Sequence, residues 1–149
     1  MRLTAADYRE AAEEHVETAR RLHEAARYPA AHYMAGLAVE CLFRAYRHRM
    51  DPEFDARHDL RQLFIVSGFP EVVHSLRDAE RIAITKALDV PFKRWRNNQR
   101  FGSERTLRRF LKQEKLDRGI RGNILKENSR LMVVAAAFVV EVGMRKWLH

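Results

Sequence analysis

The sequence predicts an all-α protein, and three observations predict it. Ala, Leu, Arg and Glu are the commonest residues, all good helix formers, while Gly and Pro are few. Apolar residues recur at helical spacing through most of the chain. No segment sustains the alternation of period two that a sheet needs, and no interval repeats as a solenoid would. With 149 residues and 46% apolar content, one domain spanning 1–149 can bury a sufficient core without a disulfide or metal staple.

From Thr4 onward, Tyr8, Ala12, Val16, Ala19, Leu22 and Ala26 form one stripe, the first helix. It is expected to stop at Tyr28, because the residue before a proline is pushed out of the α region, and Pro29 suits the first turn of the next helix. The second stripe is Ala30, Met34, Leu37, Ala38, Cys41, Leu42 and Ala45, and the short corner implies an antiparallel hairpin. Asp51 to Arg57 reads as a loop, and His58 to Val66 as a short helix with Asp59 in its first turn. After the break at Gly68 to Pro70, a third long stripe runs from Val72 to Leu88, and Pro91 is expected to end it. Asp117 to Gly122 is a turn, Asn123 caps the last helix, and that helix runs to Trp147. Leu131, Ala135, Phe138 and Val142 make one stripe of it, but Val134, Val139 and Val140 lie off the stripe. The helix is therefore central to a bundle or half in a dimer interface, and the two roles together are the expectation. The apolar run Leu131 to Met144 is interrupted by Glu141 and is shorter than the roughly 20 residues of a transmembrane helix, so no membrane is expected.

Charge is concentrated in one place. Lys93 to Arg121 holds eleven basic residues against the three acids Glu104, Glu114 and Asp117, a surplus equal to the formal charge of +8 of the whole chain. Such a cluster is the footprint of a polyanion partner, because each phosphate neutralised releases condensed counterions. Twenty-two of the 28 basic residues are Arg, whose planar fork binds phosphate bidentately. Ser103 is a plausible N-cap with Glu104 in the first turn. In the helix that follows, Leu107, Phe110 and Leu111 fall on one side, and Arg105, Arg108, Arg109 and Lys112 on the other, with Lys115 extending the basic face. The candidate nucleic-acid-binding residues are Arg94, Arg96, Asn97, Arg100, Arg105, Arg108, Arg109 and Lys112. Trp95 and Phe101 are both rings that can stack a base, and the other reading, a core anchor where the loop rejoins the bundle, suits Trp95 better than Phe101.

Other chemistry finds little support. His15 and His23 share a helical face but lack the closer spacing and further ligands of a zinc site, so no metal and no cofactor are expected. The lone Cys41 sits in an apolar stripe as a small hydrophobe and permits no internal disulfide, which fits a reducing, cytoplasmic setting, as does the lack of a charged-then-apolar leader. Glu40 flanks the stripe of the second helix, either paired with an Arg of another helix or half exposed. No glycine-rich phosphate loop, serine elbow or paired carboxylates appear.

The opening hairpin, with Ala19, Leu22 and Ala26, then Tyr28, Ala31, Tyr33, Ala35, Gly36, Val39, Glu40 and Cys41, resembles HEPN domains (higher eukaryotes and prokaryotes nucleotide-binding). His58 to Leu60 and the Trp95 to Arg100 region follow in the order that family shows. The resemblance implies an up-and-down bundle of four to five helices, commonly a homodimer. It also implies RNA or nucleotide as ligand and a place in toxin–antitoxin or nucleic-acid defence systems, with a nucleotidyltransferase-type antitoxin as a possible partner. Many such proteins are metal-independent endoribonucleases, whose arginine is followed by a polar residue and then a histidine, suited to cleavage by the 2′-hydroxyl of the RNA itself. Arg96 and Asn97 match the first half of that signature, with Arg100 as the further candidate, but Phe101, Gly102 and Ser103 stand where the histidine belongs. The pairs Arg9 with His15 and Arg27 with His32 lie on other helices, and His58 is the base to consider from elsewhere. Three functions are thus expected in order: RNA or nucleotide binding without the usual centre, a ribonuclease toxin with a non-standard centre, and a non-enzymatic module docking an acidic protein.

Overall fold

The computed structural model describes residues 1–55, 57 and 59–148. They form four long helices, α1 (Ala5–Glu24), α2 (Tyr28–Met50), α5 (Asp78–Arg94) and α7 (Ile124–Lys146), and three short ones, α3 (Leu60–Val66), α4 (Phe69–His74) and α6 (Glu104–Gln113). A 3₁₀ turn, Asn97–Phe101, lies between α5 and α6. No strand occurs among the described residues.

Side-chain contacts give the direction of each long helix. Tyr8 of α1 meets His48 of α2, and His23 of α1 meets Ser129 of α7, so α1 is antiparallel to both. His32 meets Asn128 near the start of α7 and Tyr46 meets Trp147 at its end, so α2 and α7 run parallel. Arg145 pairs with Glu80 while Arg94 reaches Asn128, which sets α5 antiparallel to α7. The chain is therefore an up-and-down bundle, with α7 packed against α1, α2 and α5. That position explains why α7 is apolar nearly all round, with Val133, Ala136, Val139, Val140 and Val142 all buried. No helix is long and apolar enough to cross a membrane.

Two close approaches lock the bundle. A Cβ on Gly143 would come within 2.6 Å of Leu42, and the Tyr46 hydroxyl donates to the Gly143 carbonyl at 2.6 Å, holding α2 against α7. A Cβ on Gly36 would come within 2.0 Å of the Trp95 ring, so α2 is bare where Trp95, just past the end of α5, packs on it. Phe43, Phe64, Phe69 and Phe92 fill one end of the core, with ring centroids 5.4–6.4 Å apart. The fully buried Phe43 and Phe69 each contribute roughly 1.5–3 kcal/mol by burial, and the half-buried Phe64 and Phe92 less. A second, smaller cluster of Leu107, Leu111 and Leu125 seats α6.

Helix ends depart from the sequence expectation in instructive ways. α1 stops at Glu24, four residues before Tyr28, in a Schellman motif: Arg27 N–H donates to Leu22, Ala26 N–H to His23, and Ala26 adopts φ 59°. Pro29 does open α2. Asp59 is the N-cap of α3, accepting from Gln62 N–H, and the expected start at His58 lies outside the described residues. The third stripe is two helices, because Leu76 turns into the core between α4 and α5 and gives its carbonyl to Arg81. Pro91 does not end α5. The helix runs on through Arg94 because buried Pro91 and Trp95 and half-buried Phe92 anchor its last turn, outweighing the one lost hydrogen bond.

Candidate nucleic-acid interface

The basic segment begins inside α5. Lys93 pairs with Asp89 at 2.8 Å, and the chain leaves the helix at Trp95, whose side chain is 3% exposed and whose indole N–H donates to the Tyr33 carbonyl at 3.0 Å. Trp95 is thus the core anchor its apolar bulk suggests. The next residues form the 3₁₀ turn, and Ser103 then caps α6 by accepting from Thr106 N–H.

A buried polar chain shapes that turn. His32 on α2 is fully buried. Asn128 accepts from Arg94 through Oδ1 at 2.9 Å, so its amide nitrogen faces His32 Nδ1 at 2.8 Å. His32 Nδ1 is therefore the acceptor and Nε2–H the donor, to Gln99 Oε1 at 2.9 Å. The same Gln99 oxygen accepts from Arg96 N–H at 2.6 Å, and its amide donates to the Arg94 carbonyl at 3.3 Å. Burial pushes His32 down to about 4, against the hydrogen bond to Gln99 and with the help of Arg94, so the ring is neutral near pH 7. Burial also lowers Arg94.

The predicted site residues divide accordingly. Arg94 is half-buried and directed at Asn128, away from the surface. The guanidinium of Arg96 turns back onto the carbonyls of Phe92, Lys93 and Trp95, at 3.4, 3.3 and 2.9 Å, where a cation suits the C-terminus of α5, and it stands 5.4 Å from the Phe110 ring. Asn97 accepts from the Tyr33 hydroxyl at 3.4 Å, and Arg100 stacks over Phe101 at 4.5 Å. On α6, Leu107 and Leu111 are buried, Phe110 is half-buried, and Arg105, Arg108, Arg109 and Lys112 are all exposed. Lys115 does not continue this face: α6 ends in a second Schellman motif in which Lys115 takes φ 60°.

None of the four α6 cations makes an ion pair with a described residue, although Arg2, Arg20, Arg21, Arg44, Arg47, Arg81, Lys93, Arg130 and Arg145 all do. Arg109 and Arg96 also line a cleft of 360 Å³ between the N-terminus of α2, the 3₁₀ turn and α6. Sequence reading missed His32, Gln99 and Asn128. The available signal was a polar residue amid an apolar stripe: His32 lies on the face of Ala31, Ala35 and Val39, and Asn128 on that of Leu125 and Met132.

Cys41 is buried and its thiol is pushed up to about 12 by burial, as expected of a packed hydrophobe. Glu40 pairs with Arg44 of its own helix, not with another. His23 is occupied by Ser129 at 2.8 Å, and no cluster of three or more His, Cys, Asp or Glu side chains suited to a metal ion occurs among the described residues.

No curated protein and no solved structure matches the chain significantly. A family model, described as the HEPN domain, matches residues 5–89, more than half of the chain. The match covers the frame from α1 into α5 and stops short of Lys93, so the basic segment lies beyond it. On the strength of that match, the chain belongs to the HEPN domain family.

Proposed function

We propose that this HEPN-domain protein binds RNA or a nucleotide, with α6 as the main contact and the 3₁₀ turn beside it. The observation that carries the reading is the unpaired row Arg105, Arg108, Arg109 and Lys112. Eight arginines elsewhere on the chain find carboxylates, whereas on this one short helix four exposed cations have no ion-pair partner among the described residues and stand at like-charge spacings that cost a few tenths of a kcal/mol per pair. A polyanion removes that repulsion and supplies phosphates to planar guanidinium forks. Arg100 and Asn97 are exposed in the 3₁₀ turn that precedes α6, and Arg94 supports the turn from within.

The geometry favours binding over cleavage. A ribonuclease of the kind the family resemblance implies needs a proton carrier beside the phosphate. His32 is the described histidine bonded to this turn, and it is buried, neutral and held at both ring nitrogens. His58 lies outside the described residues.

Polarisation titrations of fluorescein-labelled single-stranded RNA test the reading. Wild type binds at low salt, and the logarithm of its affinity falls linearly with the logarithm of salt, by about 0.7 per phosphate contact. Replacing Arg105, Arg108, Arg109 and Lys112 together by Ala lowers that slope by roughly 2–3. Absence of wild-type binding at low salt removes the proposal.

A further inference from the structure

We propose that the cleft between the 3₁₀ turn and α6 receives one unstacked base of a single RNA strand, whose backbone continues along the α6 cations. The inference rests on the RNA-binding reading above and adds to it a pocket that reads a base. The cleft, at 360 Å³, falls within the roughly 300–1,000 Å³ of small-ligand sites. Its chemistry is that of a nucleotide: aromatic and apolar walls, free amides, a cation, and no carboxylate among its lining residues.

Phe101 stands at the mouth and is 78% exposed. Arg100 covers one part of the ring at 4.5 Å and no described ring stands against it, which leaves an aromatic surface on which a base can stack. Phe110 forms an inner wall. Asn98 and Gln113 line the cleft with side-chain amides that make no hydrogen bond to a described residue, so each offers a donor and an acceptor to a base edge. Arg109 lines both this cleft and the shallow groove shared with Arg105, Arg108 and Lys112, so one guanidinium joins the base pocket to the phosphate track. The larger cleft beside it suits such a ligand less well, since Asp59 and Glu114 stand among its cations.

The test uses the whole chain and a short single-stranded RNA carrying one 2-aminopurine. Its emission falls on binding to wild type as the base stacks. Phe101→Ala weakens binding about tenfold and abolishes the emission change, while the salt slope stays the same, because a stack is lost and no phosphate contact is. Phe101 lies outside both apolar clusters, so the variant folds. Gln113→Ala and Asn98→Ala reduce the preference among oligonucleotides differing at that one base. Duplex RNA binds wild type and Phe101→Ala alike, since its bases stay stacked. If Phe101→Ala and Gln113→Ala bind the strand as wild type does, with no emission change, the pocket is overturned while the salt-dependent RNA reading stands. If wild type binds no RNA at low salt, both fall. Displacement of the strand by free mononucleotides at equal concentration overturns the strand as occupant.

Discussion

Helices α2 and α6 both carry arginines, and they treat them in opposite ways. On α2, Arg44 pairs with Glu40 at 3.6 Å and Arg47 with Asp51 at 3.5 Å, the first pair with side chains only 16% and 15% exposed. Burial raises Glu40, and Arg44 opposes that rise, the signature of a charge that needs its partner to be there at all. On α6 the four cations are exposed and paired with no described acid. On α2 the chain supplies the counter-charge itself, whereas the four α6 cations have no ion-pair partner among the described residues.

That contrast can be broken or sharpened by substitution. The largest effect belongs at the junction of the two regions. Trp95→Ala empties the site facing Gly36 and removes the indole hydrogen bond to the Tyr33 carbonyl, at a cost of about 3–5 kcal/mol in urea denaturation. A loss below about 1 kcal/mol would show that the turn is not anchored to the frame.

Next comes acid. His32 is held near 4 when folded, below the roughly 6.5 of an unfolded chain, so between these values the unfolded state binds a proton that the folded state refuses. Stability is then unaffected above about pH 6.5 and falls on acidification toward pH 4, by about 3 kcal/mol in all. Denaturant midpoints measured across that window should fall more steeply for wild type than for His32→Asn. Equal slopes would place the proton elsewhere.

A smaller change isolates α6. Ser103→Ala removes the cap on Thr106 N–H and costs about 1 kcal/mol, together with the order of the cationic face, and thermal melts with RNA titrations follow both. The smallest change in stability is expected where the proposed function is concentrated. Arg108→Ala shifts the free energy of unfolding by no more than about 0.5 kcal/mol, in the stabilising direction if the like-charge repulsion dominates, while RNA affinity drops. A marked destabilisation would mean that Arg108 holds the fold and not a ligand.

Whatever depends on neighbours in the chain was legible in the sequence. The helix-forming stripes, Pro29 at the start of α2, the caps Ser103 and Asn123, the two faces of α6, and the charge surplus of Lys93 to Arg121 all follow from local propensity, capping chemistry and helical periodicity. Even the family likeness rests on such local patterns in the first hairpin. The tertiary structure decided what periodicity cannot carry. It ran α5 through Pro91, because Phe92 and Trp95 beyond the proline find a core to enter. It turned Arg94 inward to Asn128 and joined His32 to Gln99, residues 67 positions apart. A polar side chain on an apolar stripe signals that a partner must exist, since an unsatisfied buried group costs about 1–3 kcal/mol. Which partner it finds depends on how whole helices pack.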